Sequence, residues 1–201
     1  MTRAGLTLLL ALLLSWVPAV AGTAGAGQVY LTLEEALELA FGEAQIERGT
    51  VYLTDEQREQ AEELAGSELA GAIVHPYTAR KDGQLVGTAW VDSHRVRTLR
   101  QTVLVVVGPD QRVRRVELLA FGEPEEYVPR ASWYAQFNGR ALDSELDLRR
   151  GIRGVSGATL TARATTSAVR RALAVHRVLN GPPPAEQEAA HATGKPGARV
   201  R

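Results

Sequence analysis

Between Ala72 and Phe121 the chain repeats one pattern twice, and that pattern restricts the fold more than any other feature. Two extended runs flank "KDGQ" (81–84), where Asp82-Gly83 supplies the positive φ that a tight hairpin turn requires. Next, "TVLVVV" (102–107) is apolar on both faces, "GPDQ" (108–111) turns, and Val116, Leu118 and Ala120 alternate with Arg115, Glu117 and Leu119. Two successive hairpins predict an antiparallel sheet of about four strands. Pro76, which donates no backbone hydrogen bond, places an edge or a bulge in the first run. The sheet's apolar face needs a partner, and helical patterns on either side provide one, so the fold class is α+β.

Upstream, Leu33, Ala36, Leu37 and Ala40 share one face of a short helix over Leu33–Phe41. Thr54 followed by Gln57 reads as a capping box that opens a helix through Leu64, with Gly66 as its stop. Downstream, "ASWYAQF" (131–137) is a short helical pattern with Trp133 and Phe137 one turn apart. The longest helix is predicted from about Leu160 to Leu179. Its Val169, Ala172, Leu173, His176 and Leu179 form the core stripe, and Arg163, Arg170 and Arg177 recur on a face left for solvent or a partner.

The ends read differently. Arg3, an apolar run from Leu6 to Val17, Pro18 and the small-residue site Ala19-Val20-Ala21 have the form of a secretion signal over 1–21. The run is shorter than the roughly 20 residues that span a bilayer, so the expectation is cleavage and an extracytoplasmic or periplasmic location, an uncleaved amino-terminal anchor being the alternative. Residues 22–28 read as a linker, 29–69 as an N-terminal helical segment and 70–180 as the main domain. The Pro- and Ala-rich stretch 181–201 offers almost nothing apolar to bury and reads as a disordered tail.

Charge and sulfur content narrow the function. Acidic and basic residues number 23 each, so no net charge calls for nucleic acid. The chain has no cysteine, which removes disulfides, thiolate metal sites, iron–sulfur clusters and c-type haem attachment. Electrons passing through such a protein need an organic cofactor. His75, His94, His176 and His191 lack metal-ligand spacing, so no metal site is expected.

The long helix is preceded by "RGVSGATLTARA" (153–164). One reading is structural: a hydroxyl of Ser156 or Thr159 caps the helix and stabilises it by about 1 kcal/mol. The other is functional. A helix start concentrates free N–H groups and positive dipole, Gly157 and Ala158 let a phosphate approach, and Thr159 presents a hydroxyl there. No base is placed to activate that hydroxyl, so Thr159 is better suited to being modified by another enzyme than to attacking a substrate. A serine-hydrolase reading of Ser156 with His94 fails because "GVSGA" lacks the glycine placement of a nucleophile elbow.

"RGVSGATLTARA", followed by an amphipathic helix and preceded by paired hairpins behind a secretion signal, resembles the FMN-binding domain family. That family includes the C subunit of the sodium-pumping NADH:quinone oxidoreductase and the G subunit of the Rnf complex. The resemblance implies FMN as cofactor, joined by a flavin transferase through its phosphate to Thr159, with Ser156, Gly157 and Ala158 shaping the phosphate end and Leu160 and Thr161 completing the set. Where the family pattern usually has Asp three residues before the Ser/Thr, this chain has Arg153, a charge-assisted donor that suits a bound phosphate. The implied role is an electron carrier serving redox partner proteins, membrane-bound ones included. A noncovalent flavin reductase and a flavin-free accessory domain are the alternatives. Trp133, Tyr134, Phe137 and Tyr127 are candidates to cover a flavin ring, with core packing the competing role. Glu123, Glu125 and Glu126 read as an acidic loop, either tuning the flavin or simply solvated.

Overall fold

A computed structural model describes residues 27–184; the signal-like segment 1–21, residues 22–26 of the linker and residues 185–201 of the tail, His191 among them, lie outside the described residues. The sheet has six antiparallel strands in the order β1-β8-β7-β6-β5-β2. These are β1 Gln28–Val29, β2 Gln45–Arg48, β5 Tyr77–Lys81, β6 Gln84–Arg95, β7 Arg100–Val107 and β8 Val113–Phe121, and a separate ribbon pairs β3 Val51–Tyr52 with β4 Ile73–Val74. The four strands of the two expected hairpins form its centre. The expected count of about four is corrected by two short edge strands, β1 and β2, whose two and four residues are too brief to show alternation.

Asp82 and Gly83 both take positive φ, so the first turn forms as read. Pro76 stands between β4 and β5 and divides the first run in two, while the β5 bulge falls at Ala79/Arg80. Leu118 and Leu119 face opposite sides by the ordinary alternation of a strand, so β8 feeds two cores, and the register slip opposite Thr102/Val103 adds one residue that returns Phe121 to the side of Val116 and Leu118.

The larger core lies between the sheet and α4 Thr159–Asn180, where Val103, Val105, Val116 and Phe121 meet Ala162, Val169, Leu173 and Ala174. The smaller one lies under α1 Leu33–Phe41, with Ala36, Leu37 and Phe41 against Leu104, Val106 and Leu119. Each fully buried aliphatic or aromatic side chain contributes about 1.5–3 kcal/mol relative to exposure. Helix α2 Asp55–Ala65 packs on α4, and both α1 and α2 begin with complete capping boxes, from Thr32–Glu35 and Thr54–Gln57. The short helix α3 Ala131–Tyr134 and the 3-10 turn that follows close one edge of the main core.

On α4 the predicted stripe is buried at Val169, Ala172, Leu173 and His176 and half-buried at Leu179. Arg163 is exposed, but Arg170 is not a solvent-facing residue. Its guanidinium donates to the carbonyls of Leu64 and Ala65 at the end of α2 and to those of Asp143 and Leu146. A cation there complements the open carbonyls and negative dipole end of α2.

Candidate functional site

The loop leading to α4 is pinned from both sides. Ile152 is fully buried, and Arg140 donates to Gly151 O at 2.6 Å. A side chain at Gly151 would collide with Glu145 O, so the chain passes there only as glycine. Beyond it, Gln136 accepts from Arg153 N at 2.9 Å and the indole N–H of Trp133 donates to Arg153 O at 2.6 Å. The backbone of Arg153 is therefore fixed on the aromatic corner, while its side chain remains exposed.

A turn follows, with Ala158 N donating to Val155 O at 3.1 Å and Gly157 at φ +82°. That φ belongs to the third position of a type II turn, where glycine is favoured. Ala158, at the N-cap, makes no side-chain cap, and neither Ser156 nor Thr159 caps the helix. The structural reading of the motif is thereby overturned. Thr159 is the first helical residue, and its hydroxyl reaches only back to Val155 O at 3.4 Å. Among the described residues the amides of Thr159, Leu160 and Thr161 have no acceptor, which leaves the positive end of a 22-residue helix open.

Ser156, Gly157, Thr159 and Leu160 face out, whereas Ala158 and Thr161 are buried and seat the helix start on the core. Nothing lies within 4 Å of where a Cβ would stand on Gly154 or Gly157. Open amides, an exposed hydroxyl and uncrowded glycines fit a phosphate group. The seven residues assigned from sequence thus split by burial: Arg153, Ser156, Gly157, Thr159 and Leu160 are exposed on one loop and helix start, with Ala158 and Thr161 beneath them.

The β6–β7 hairpin tip comes to the same end of the molecule. Trp90 meets His176 edge-on, Asp92 bonds Arg171, and Gln101 bonds Thr165, so β6 runs antiparallel to α4. Continued at 3.3 Å per strand residue and 1.5 Å per helix residue, this brings residues 96–99 level with the start of α4. The tip is held by Glu123, one of whose carboxylate oxygens accepts the amides of Arg97, Thr98 and Leu99 at 3.0, 2.6 and 2.8 Å. These bonds, that from Leu99 foremost, hold its carboxyl below the usual range against the opposing effect of burial. Glu123 is therefore a buried clamp and not part of a solvated acidic loop; Glu125 and Glu126 are exposed. Arg97 in turn lies over the Tyr127 ring, 5.3 Å from its centroid.

The aromatic residues resolve in favour of packing. Trp133, Tyr134 and Phe137 are buried, with Trp133 edge-on to both neighbours at 5.2 and 5.3 Å. Only Tyr127 is half-buried at the surface.

Two cavities lie elsewhere. One, of about 600 Å³, is walled by Tyr77, Trp90, Asp92, His94 and Arg171, and the other, of about 520 Å³, by Tyr30, Arg114 and Tyr134; neither is lined by residues 153–161. Arg171 is about 18 Å along the helix from Thr159 at the standard rise. In the first cavity Asp92 takes two bonds from Arg171, both at 2.9 Å, and one with His94 Nδ1 at 2.8 Å. Burial by itself would raise the Asp92 pKa, but the hydrogen bonds and charges of His94 and Arg171 outweigh it and hold the carboxyl at about 2. The Arg171 partner, 79 residues away, gave no sequence signal; the i, i+2 spacing of Asp92 and His94 on one strand face was the part within reach.

His94 pairs with Asp92 and Gln101, not Ser156, and His75 with Thr50 and Gly49 O. Among the described residues no group of three or more His, Cys, Asp or Glu is placed to hold a metal ion, and no helix is long and apolar enough to cross a membrane. Residues 100–174, from the start of β7 into the last third of α4, match the model of the FMN-binding domain, and the chain carries an FMN-binding domain there. No curated protein matches the chain.

Proposed function

We propose that this chain, with its FMN-binding domain over residues 100–174, is an extracytoplasmic electron carrier whose FMN is attached through a phosphoester to Thr159. The observation that carries this reading is the uncapped start of α4, with three open amides beside an exposed threonine hydroxyl. A helix start of this kind is normally satisfied by a side chain or by an anion, and here no side chain does it.

In this reading the amides of Thr159, Leu160 and Thr161 and the guanidinium of Arg153 hold the phosphate. Gly157 gives it room, and the exposed hydroxyl of Thr159 meets a flavin transferase without rearrangement. Thr159 has only Val155 O as a side-chain partner, so the base for its activation comes from the transferase. FMN supplies reversible uptake and release of electrons, and a phosphoester keeps it from diffusing away. Redox partner proteins, membrane-bound ones included, deliver and remove the electrons. The signal-like segment 1–21 supports the extracytoplasmic location.

The test is intact mass together with in-gel flavin fluorescence on protein exported from a host that co-expresses a flavin transferase. The expected result is a mass gain of FMN less one water that survives denaturation and is lost in Thr159→Ala. Flavin that copurifies but washes away on denaturation would replace covalent attachment by noncovalent binding, which the free Arg153 guanidinium also suits. Colourless protein under these conditions would refute the carrier and leave the accessory-domain alternative.

A further inference from the structure

The neutral total charge conceals a strong asymmetry. Residues 27–70 hold eleven carboxylates and two arginines, whereas residues 71–184 hold ten carboxylates and seventeen basic side chains. Of the acidic segment, α1 packs on the face of the sheet opposite to α4, against Leu104, Val106 and Ala79, and α2 ends at Arg170, about 16 Å along α4 from Thr159. At the β6–β7 tip and the start of α4, Arg95, Arg97, Arg100, Arg153 and Arg163 are all exposed, and none makes an ion pair among the described residues. The Glu123 carboxylate under the tip and Glu125 and Glu126 in the turn before Tyr127 offset part of this charge, and five arginines against these three carboxylates leave a positive excess.

We propose that the arginine-rich end surrounding Thr159 is a docking surface for a redox partner protein with an acidic face. The proposal rests on the reading of Thr159 as the flavin-bearing residue. Arginine, with its planar fork, matches carboxylates two bonds at a time and is enriched at protein interfaces where lysine is depleted. Leu99 and Leu160, 42% and 47% exposed, place apolar surface among the arginines, the mixture expected of an interface with a charged rim. The acidic helix α1, on the far face of the sheet, repels the same partner, so the field of the molecule turns the Thr159 end toward it before contact. The partner's carboxylates pair with the arginines, and the electron crosses at the flavin with no bond made or broken in this chain.

Two readouts test this. The first needs no flavin: calorimetric titration of the full chain with a polyglutamate peptide at low and high salt. The expected result is salt-sensitive binding that falls by at least about tenfold in the Arg97→Glu/Arg163→Glu double variant. Lys81→Glu, at the β5–β6 turn on the far end, leaves it unchanged. Undiminished binding in the double variant, or none in the parent, overturns the proposal. Binding to phosphatidylglycerol vesicles without binding to polyglutamate overturns it in favour of a membrane surface, and salt-sensitive self-association lost in the double variant, again without polyglutamate binding, assigns the surface to a second copy of this chain.

The second readout uses flavin-loaded protein, its loading read from visible absorbance. Oxidation of the reduced flavin by ferricyanide is expected to slow as salt rises, and oxidation by hexaammineruthenium(III) to accelerate. The opposite signs overturn the proposal. Colourless protein that still binds polyglutamate through Arg97 and Arg163 would retire the flavin reading and leave the acidic-partner surface standing.

Discussion

Asp92→Asn is the perturbation whose size the structure fixes best. The substitution keeps shape and removes the charge that receives both bonds from Arg171 and one from His94. A carboxyl held at about 2 against an ordinary 3.8 corresponds to about 2 kcal/mol favouring the folded state above pH 4. The Arg171 guanidinium, only 13% exposed, is then left without its counter-ion, and removing one partner of a fully buried pair costs about 3–5 kcal/mol. The residual exposure of both groups moderates that figure, so the expected loss at pH 7 is about 2–3 kcal/mol, or roughly 5–10 °C in Tm for a domain of this size. The pH dependence follows from the sign of the shift. The depressed pKa contributes stability that is complete above the unfolded value and disappears as pH falls through the folded one, so the gap between parent and variant stays constant from pH 7 to 5 and narrows below pH 4. Urea unfolding followed by tryptophan fluorescence at pH 7, 5, 4 and 3 measures it. A gap below about 0.5 kcal/mol at pH 7, or one that does not narrow, refutes the account. Adding Arg171→Met to Asp92→Asn should recover part of the loss, because it removes the stranded charge.

Three further outcomes are expected. Burial pushes the His176 imidazole down to about 4, so the unfolded chain takes up a proton between pH 6.5 and 4 that the folded one refuses, and stability falls with pH across that window. His176→Phe, which keeps a ring against Trp90, should flatten the dependence by up to about 3 kcal/mol, measured by unfolding at pH 7 and 4.5. Glu123→Ala frees the amides of Arg97, Thr98 and Leu99, and hydrogen exchange at those three positions should accelerate while the centre of β7 stays protected. Gly157→Ala meets no steric obstacle but holds an L-residue at φ +82°, a cost of about 1–2 kcal/mol, so flavin incorporation should fall with circular dichroism unchanged.

The parts legible in the sequence were those written in local patterns. The turn at Asp82-Gly83, the cap at Thr54–Gln57 and the stripe on α4 each depend on residues within a few positions of one another, and each formed as read. The edge strands were missed because Gln28–Val29 owes its pairing to Phe121 and Ala120, some ninety residues away, and not to any alternation of its own. The same distance effect hid Arg170. A seven-residue recurrence of arginine suggests a polar face, but carbonyls brought from α2 and from 143–146 decide where the side chain lies. At the site, the motif located Thr159, while the supporting parts, Gln136 and Trp133 on the Arg153 backbone and Glu123 under the tip, are side chain to backbone contacts that leave no periodic trace. Glu123 was the misleading case, since an acidic loop is usually solvated and only the fold presents three convergent amides to it.

The positions of Gly27 and Gly181 bear on how the protein is attached to a solid support. Residue 27 lies so close to Phe121 O and Gly122 that no side chain would fit, and Gly122 is bonded to Arg100, so the chain enters beside the β6–β7 tip. Gly181 is tied through its carbonyl to Gln111 in the β7–β8 turn, roughly 20 Å away, at the other end of the strands. A handle before residue 27 therefore turns the Thr159 end toward an electrode, and a handle after residue 184 turns it away. With FMN carried at Thr159 as proposed, the two immobilised forms should give voltammetric currents of very different size, because tunnelling decays steeply with distance.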